Sequence, residues 1–253
     1  MTTTTGTSTS PRTTRVLAHP LTPLRALRAE LYALTSTRST WLFMAAIVVG
    51  MLPASLLMNL EQASWGDAAM MSDVVLLVII YAVAFFMLPP TLPWTYQATP
   101  RRSLDMFARF AAGLFLCLIS VVVGMAGSIG VFTARGIDLD LSSPQELIVP
   151  ALRLLIVPTL SAFLAWLTKS SLVGSMVMIA DFYLVEALVV NTHTPALAFI
   201  GSLLPVNNIG VAAGHVLETY QFPEWAAPLI LAAWLVTGAV LAWLVATRRP
   251  ITS

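Results

Sequence analysis

Six stretches of this chain are almost wholly apolar, and each approaches the roughly 20 residues that cross a hydrocarbon core as one α-helix. They run from about Trp41 to Leu60, Val74 to Trp94, Phe107 to Phe132, Leu147 to Leu167, Ser171 to Val190 and Trp225 to Ala246. Composition points the same way. Hydrophobic residues make up 58% of the chain and charged residues 10%, against roughly 25% charged residues in a soluble domain. Too little polar surface is available to face water. The sequence therefore reads as an all-α integral membrane protein with six transmembrane helices.

Charge sets the expected orientation. Twelve arginines stand against a single lysine, a bias that, with abundant alanine, hints at a GC-rich bacterial genome. Arg12, Arg15, Arg25, Arg28 and Arg38 precede the first span, and Arg101, Arg102 and Arg109 cluster between the second and third. Lys169 sits between the fourth and fifth, and Arg248 and Arg249 follow the sixth. Six spans put all of these on one side, which the positive-inside rule makes cytoplasmic. Only Arg135 and Arg153 fall at or near the other side, among Glu61, Asp67, Asp73, Asp138, Asp140, Glu146, Glu218 and Glu224. The expected location is a bacterial plasma (inner) membrane, crossed several times, with both termini cytoplasmic. Residues 1–20, which open on a Thr/Ser/Gly tract, read as a disordered cytoplasmic tail; residues 21–253 form the membrane domain. The first thirty residues hold no apolar core of the signal-peptide kind, so the first span is expected to stay as an anchor.

Ahead of that span, residues 22–37 read as an amphipathic helix. Thr22 can cap it and Pro23 can take the first helical position, where a missing N–H costs nothing. Leu24, Leu27, Leu31 and Leu34 make one apolar stripe, flanked by Arg25, Arg28 and Tyr32. Such a helix lies in the membrane interface, leucines toward the acyl chains and Arg25 and Arg28 toward anionic headgroups. It is expected to turn into the first span at Ser39–Trp41. The plainer alternative is an ordinary juxtamembrane positive-inside signal.

Between spans five and six the chain is too long for a tight turn, yet Pro195–Leu204 and Ile209–Leu217 are apolar. Two short helices dipping into the outer leaflet, broken at Pro205–Asn208, account for it; Pro205, Asn207 and Asn208 are the marked residues of this re-entrant element. Gly124, Gly127 and Gly130 line one side of the third span and invite close helix approach. Pro158 is expected to kink the fourth.

Catalytic signatures are missing. The one lysine, Lys169, follows threonine, and no two glycines are adjacent, so neither a Walker A loop nor an ATPase-cassette signature is present. His19, His193 and His215 are never followed by glutamate, which excludes the zinc-protease helix. Cys117 is the sole cysteine, so no disulfide or cysteine metal site forms within the chain; no metal site is expected. The polar intrusions are Arg153 in the fourth span and Asp181 and Glu186 in the fifth. An ionised side chain at a helix centre costs about 2.5–3.5 kcal/mol and calls for a partner or a cavity. Arg153 and Glu186 come at similar depth and can pair, whereas Asp181 is turned about 140° from Glu186. The three read either as a substrate or proton pathway or as a helix-locking ion pair.

With these residues in view, the chain resembles a bacterial type-2 ABC exporter permease over about residues 21 to 249. "LRALRAELYALTSTRSTWLF" is similar to that family's basic amphipathic lead-in helix. "LTKSSLVGSMVMIADFYLVEALVV" is similar to its fifth span with the preceding turn, "LLPVNNIG" to its Leu-Pro-x-Asn element, and "FPEWAAPLILAAWLVTGAVLAWLVATRRP" to its last span and basic stop. The resemblance implies a dimer, with a second copy or a paralogue, and a cytosolic ABC ATPase docked on each half. ATP and Mg would then be held by the ATPase and no cofactor by this chain. It also implies a short coupling helix between spans two and three, around residues 95–106. There "LPPTLPWTYQATPRRSLDMFARF" keeps Pro100, Arg101 and Arg102 but lacks the acidic, glycine-containing start common in the family. Arg101, Arg102 and Leu104 are the candidate coupling residues.

The expected function is thus the transmembrane subunit of an ATP-driven exporter, not itself an enzyme, with the lipid bilayer and the ATPase as partners and no nucleic acid. Two alternatives stand: a non-transporting permease-like immunity or scaffold protein, and a proton-coupled carrier using Asp181 or Glu186.

Overall fold

Capping residues mark where the first helix starts. The computed structural model describes residues 22–58, 62–88, 102–140, 142–185, 194–214 and 219–248. Helix α1 spans Pro23–Thr35, with Pro23 in its first turn and the Thr22 hydroxyl accepting the Arg25 N–H at 3.4 Å. It ends in a corner that its own hydroxyls close. Thr35, Ser36 and Thr37 donate back to the carbonyls of Leu31, Ala33 and Leu34 at 2.8, 2.7 and 2.8 Å, and the Trp41 indole N–H donates to the Thr35 carbonyl at 2.8 Å. The turn into α2 (Arg38–Leu57) therefore falls at Ser36–Thr37, earlier than the expected Ser39–Trp41. Hydroxyls bonded to the preceding turn's carbonyls compete with helix continuation, and three in succession end it.

The leucine stripe divides. Leu27, Leu31 and Leu34 pack on the protein core, while Leu24 stays 59% exposed. The reason is that α1 lies along the start of α5 (Arg102–Ala134), which takes up that face. Helix α5, at 33 residues, is about 50 Å long.

After α2 come a short strand β1 (Gln62–Ser64), α3 (Trp65–Val74) and α4 (Leu76–Met87). Helices α3 and α4 meet at 57° around Val75. Strand β1 pairs in parallel with β2 (Asp138–Asp140), which follows α5, in the register Gln62 with Asp138 and Ser64 with Asp140. Ala63 of β1 is buried with Ala68 and Phe132, and Leu139 of β2 packs against them. The wholly helical expectation is corrected by this small sheet. Three-residue strands carry too little alternation to be seen in sequence; they form because α2 and α5 end side by side.

A 3-10 turn (Pro144–Leu147) leads into α6 (Ile148–Thr168) and α7 (Ser171–Ala180). Pro158 lies within α6, which continues as one helix on both sides of it. Lys169 makes the α6–α7 corner in the left-handed region, φ 55°. A Cβ on Gly174 would lie 2.5 Å from the Ala165 nitrogen, so α6 and α7 are in backbone contact. Beyond α7 a π-helical turn covers Asp181–Val185. Then come α8 (Pro195–Gly201), α9 (Pro205–Ala212) and α10 (Ala226–Arg248).

Of the three glycines on α5, Gly124 sits against Met51 and Gly127 against Leu52 of α2, but Gly130 faces open space. The core runs along α4, α5 and α6, with Phe43 of α2 packed on Phe85 and Phe86 at 5.5 and 5.7 Å. The outward faces of α2 and α10 are apolar and exposed, as at Leu42, Leu57, Leu229 and Val236.

Candidate functional site

The structure gathers polar chemistry in three places. The first is the junction of α1 and α5. Glu30 projects from α1 and Arg109 from the second turn of α5. The Arg109 Nε and Nη2 groups donate to the two carboxylate oxygens of Glu30 at 2.8 and 3.2 Å, in the side-on fork that suits guanidinium to carboxylate. The side chains are only 8% and 16% exposed. The predicted coupling residues lie just before this clamp. Arg101 falls outside the described residues. Arg102 and Leu104 belong to the first turn of α5 itself, with Leu104 half-buried. No proline interrupts residues 102–132 and Asp105 sits favourably in the first turn, so the helix extends well ahead of its apolar part. Arg25 and Arg28 are exposed on α1.

The second place lies at the opposite end, where α2 and α5 finish. Arg135 donates from Nη1 to the carbonyls of Ser55, Leu56 and Met58 at 3.1, 3.1 and 2.7 Å, closing the end of α2 with a cation. Beside it a cavity of about 630 Å³ is lined by Asp67, Asp73, Glu146, Arg153, Asn207 and Met70 among others. Its carboxylates have structural work. Asp67 accepts the Ser64 N–H at 2.9 Å while the Ser64 hydroxyl accepts from Gly66 and Asp67, a reciprocal cap on α3. Glu146 accepts the Gly66 N–H at 2.7 Å. Arg153 donates from Nη1 to Asp73 at 2.6 Å, and its guanidinium carbon sits 5.7 Å from the centre of the Phe182 ring. The partner found for Arg153 is thus Asp73 of α3. Glu186, the partner anticipated from depth, lies outside the described residues. The Ser-x-x-Asp spacing of Ser64 and Asp67 is the sequence signal for the α3 cap.

The third place lies between α6, α7, α9 and α10, a chamber of about 310 Å³ lined by Phe163, Leu164, Met178, Trp234 and Thr237 among others, with Asp181 on its wall. The corner between α8 and α9 closes one side. These two helices are bent by 75°. The expected break at Pro205–Asn208 is corrected: the turn is Ser202–Leu204, and Pro205 opens α9, the position where proline fits a helix best. Asn207 and Asn208 tie the corner. The Asn207 amide donates to the Gly201 carbonyl at 3.0 Å, and that of Asn208 to the Ser202 and Leu204 carbonyls at 2.9 and 2.7 Å. The Tyr220 hydroxyl donates to Asn208 Oδ1 at 2.6 Å, and the Trp234 indole N–H to the Leu203 carbonyl at 2.8 Å.

Among the described residues, no group of three or more His, Cys, Asp and Glu side chains is disposed to hold a metal ion. No protein-family model, curated protein or solved structure matches the chain. Its architecture is mostly helical. Among the described residues, four helices are long and apolar enough to cross a membrane, and up to six spans result if each bent pair counts as one.

Proposed function

We propose that this chain is the transmembrane permease subunit of an ATP-driven exporter, powered by a separate cytosolic ATPase that docks around residues 95–106. It works as a dimer with a second copy or a paralogue, and ATP and Mg are held by the ATPase. In this reading the six spans are the four long helices, the bent pair α3–α4, and α7 with its continuation. The α8–α9 pair is re-entrant on the outer side, both termini are cytoplasmic in a bacterial inner membrane, and α1 rests at the interface with Arg25 and Arg28 toward headgroups.

The observation that carries this reading is the α1–α5 junction. A push on the segment before Arg102 enters a continuous helix of 33 residues, and Glu30–Arg109 obliges α1 to follow. A short displacement on the cytoplasmic side then moves two elements together and reaches the far end of the bundle along one rigid rod. A helical lever fixed to a lead-in helix suits a machine driven from outside the membrane.

The test is capture of the cognate ATPase and its turnover by permeases carrying Arg101→Gln and Arg102→Gln. Both fall, while insertion and dimer formation persist; normal capture and turnover in correctly inserted protein would overturn the proposal. Topology has its own check. Because Cys117 is buried, cysteines placed at Asp67, Asp140 and Thr219 label from outside intact cells. Cysteines at Ser8, Ser103 and Ser253 label only after permeabilisation, and external labelling at Ser103 would sink the six-span arrangement. The proton-coupled carrier reading is favoured by one feature, Asp181 on the wall of the apolar chamber. It requires transport that survives removal of the ATPase.

A further inference from the structure

The chamber between α6, α7, α9 and α10 is a space that the packing around it cannot close. A Cβ on Gly238 of α10 would lie 2.7 Å from the Phe163 ring of α6, so these two helices already touch. One turn away, the Trp234 indole N–H ties α10 to the Leu203 carbonyl at 2.8 Å, and Asn207 and Asn208 brace the corner that carries α9. Between these fixed points lie about 310 Å³. We propose that the chamber binds one acyl chain of a membrane lipid.

The wall specifies the guest. Leu160, Phe163, Leu164 and Met178 give it an apolar surface. Asp181 stands on the same wall but already has an interaction within the protein, and the Trp234 N–H is taken by Leu203. Thr237 adds one hydroxyl. An ordered buried water needs two to four polar partners, which this wall does not offer. A polar guest would lose its hydration without gaining hydrogen bonds, whereas an apolar one gains dispersion contacts on every side. A cavity of roughly 150 Å³ takes one benzene, so about twice that volume suits about a dozen carbons. That is a length of one chain and not a whole lipid.

Location decides the source. Thr237 falls at the middle of α10, and Met178 lies about 10 Å along α7 from Ser171. The mouth is edged by Val177, Trp234 and Leu241, all exposed on the outside of the bundle. In a bilayer that mouth opens on hydrocarbon. A chain can enter sideways from its own leaflet without meeting water, and its headgroup stays outside at the interface. The inference needs only that these helices lie in a membrane; it holds whether or not an ATPase drives the chain.

The probe is phosphatidylcholine with a diazirine at the middle of one chain, a minor component of nanodiscs that hold the full chain. Cross-linked peptides are mapped by mass spectrometry. Leu160, Phe163 and Met178 are buried, out of reach of lipid that merely surrounds the protein, so label on them reports a chain inside the chamber. Label on at least one is expected, and Thr237→Phe, which fills the space from α10, lowers it about tenfold. Label at Leu229 and Val236, on outward positions of α10, stays unchanged as the internal reference. No label on the three buried residues, or equal label in Thr237→Phe, would overturn the proposal. If Thr237→Phe fails to fold, Leu164→Phe fills the opposite wall and is read the same way. Two rival occupants are tested alongside. A disulfide between Val177→Cys in two copies, with the buried residues unlabelled, would give the mouth to a second copy. Reaction of Leu164→Cys with a membrane-impermeant thiol reagent would give the chamber to water. Either result overturns the acyl-chain site.

Discussion

Two ion pairs sit at opposite ends of the bundle, each joining residues about 80 positions apart. Glu30–Arg109 is forked, with two hydrogen bonds and side chains 8–16% exposed. Asp73–Arg153 has one, at 2.6 Å, and its side chains are 24–30% exposed on the wall of a cavity. The first closes the joint between α1 and α5. The second borders open space; it leaves Asp73 Oδ1 and Arg153 Nε buried without a hydrogen bond among the described residues, as the first leaves Arg109 Nη1. The difference teaches that an ion pair in an apolar bundle is either a sealed fastening or one side of a chamber, and solvent access tells which.

The comparison is broken most directly at the sealed pair. Arg109→Met leaves the Glu30 carboxylate without its partner and should cost about 3 kcal/mol. It appears as lower folded yield and earlier thermal loss of the monodisperse peak in detergent. Adding Glu30→Leu should recover most of that loss, because an apolar pair needs no compensation; additive losses in the cycle would show that the two are not coupled. At the open pair, Asp73→Asn should cost less, about 1 kcal/mol, since both side chains are partly exposed on the cavity wall. An equal loss at the two ends would remove the distinction drawn here.

Salt sharpens it further. Raising ionic strength to 1 M, where the Debye length is about 3 Å, should shrink the coupling measured for Asp73–Arg153. It should leave that of Glu30–Arg109 nearly unchanged. The smallest effect is expected at Asp140, on the exposed strand of the same open end. Its carboxyl is held below the usual aspartate range by hydrogen bonds from the Ser142 side chain and backbone. A lowered folded value means that this contribution is present above the ordinary aspartate range and is lost as pH falls through the lowered one. Ser142→Ala should flatten that part of the acid melting profile slightly, with no change near neutrality. A change at neutral pH would assign the effect elsewhere.

Legibility followed the range of the interaction. The Thr22 cap and Pro23 start of α1 were readable because helix capping is decided within four residues. The long apolar helices were readable because hydropathy is local. The Gly124 and Gly127 approach was partly readable: spacing named the face, but only packing showed that α2 covers two of the three glycines. Arg153 was readable as a residue in need of a partner. Its partner was not, because Asp73 lies in α3, ahead of a bend at Val75 that hydropathy does not mark. Glu30 carried no signal at all, being one acid in a basic helix.

By itself, the sequence determined that this chain cannot cover itself in water, that it is built mainly of long apolar helices, and where several of them begin. Hydrophobic burial and capping are properties of single segments, so they survive without knowledge of neighbours. Only the tertiary structure decided that Arg135 caps α2, that β1 and β2 pair, that Glu30 meets Arg109, and that Asp181 stands on the wall of an apolar chamber. Each of those joins segments distant in the chain, and an arginine or aspartate in such a sequence has many partners within reach of its charge. The choice among them is made by which helix faces come together, a property of the packed bundle and of no one segment.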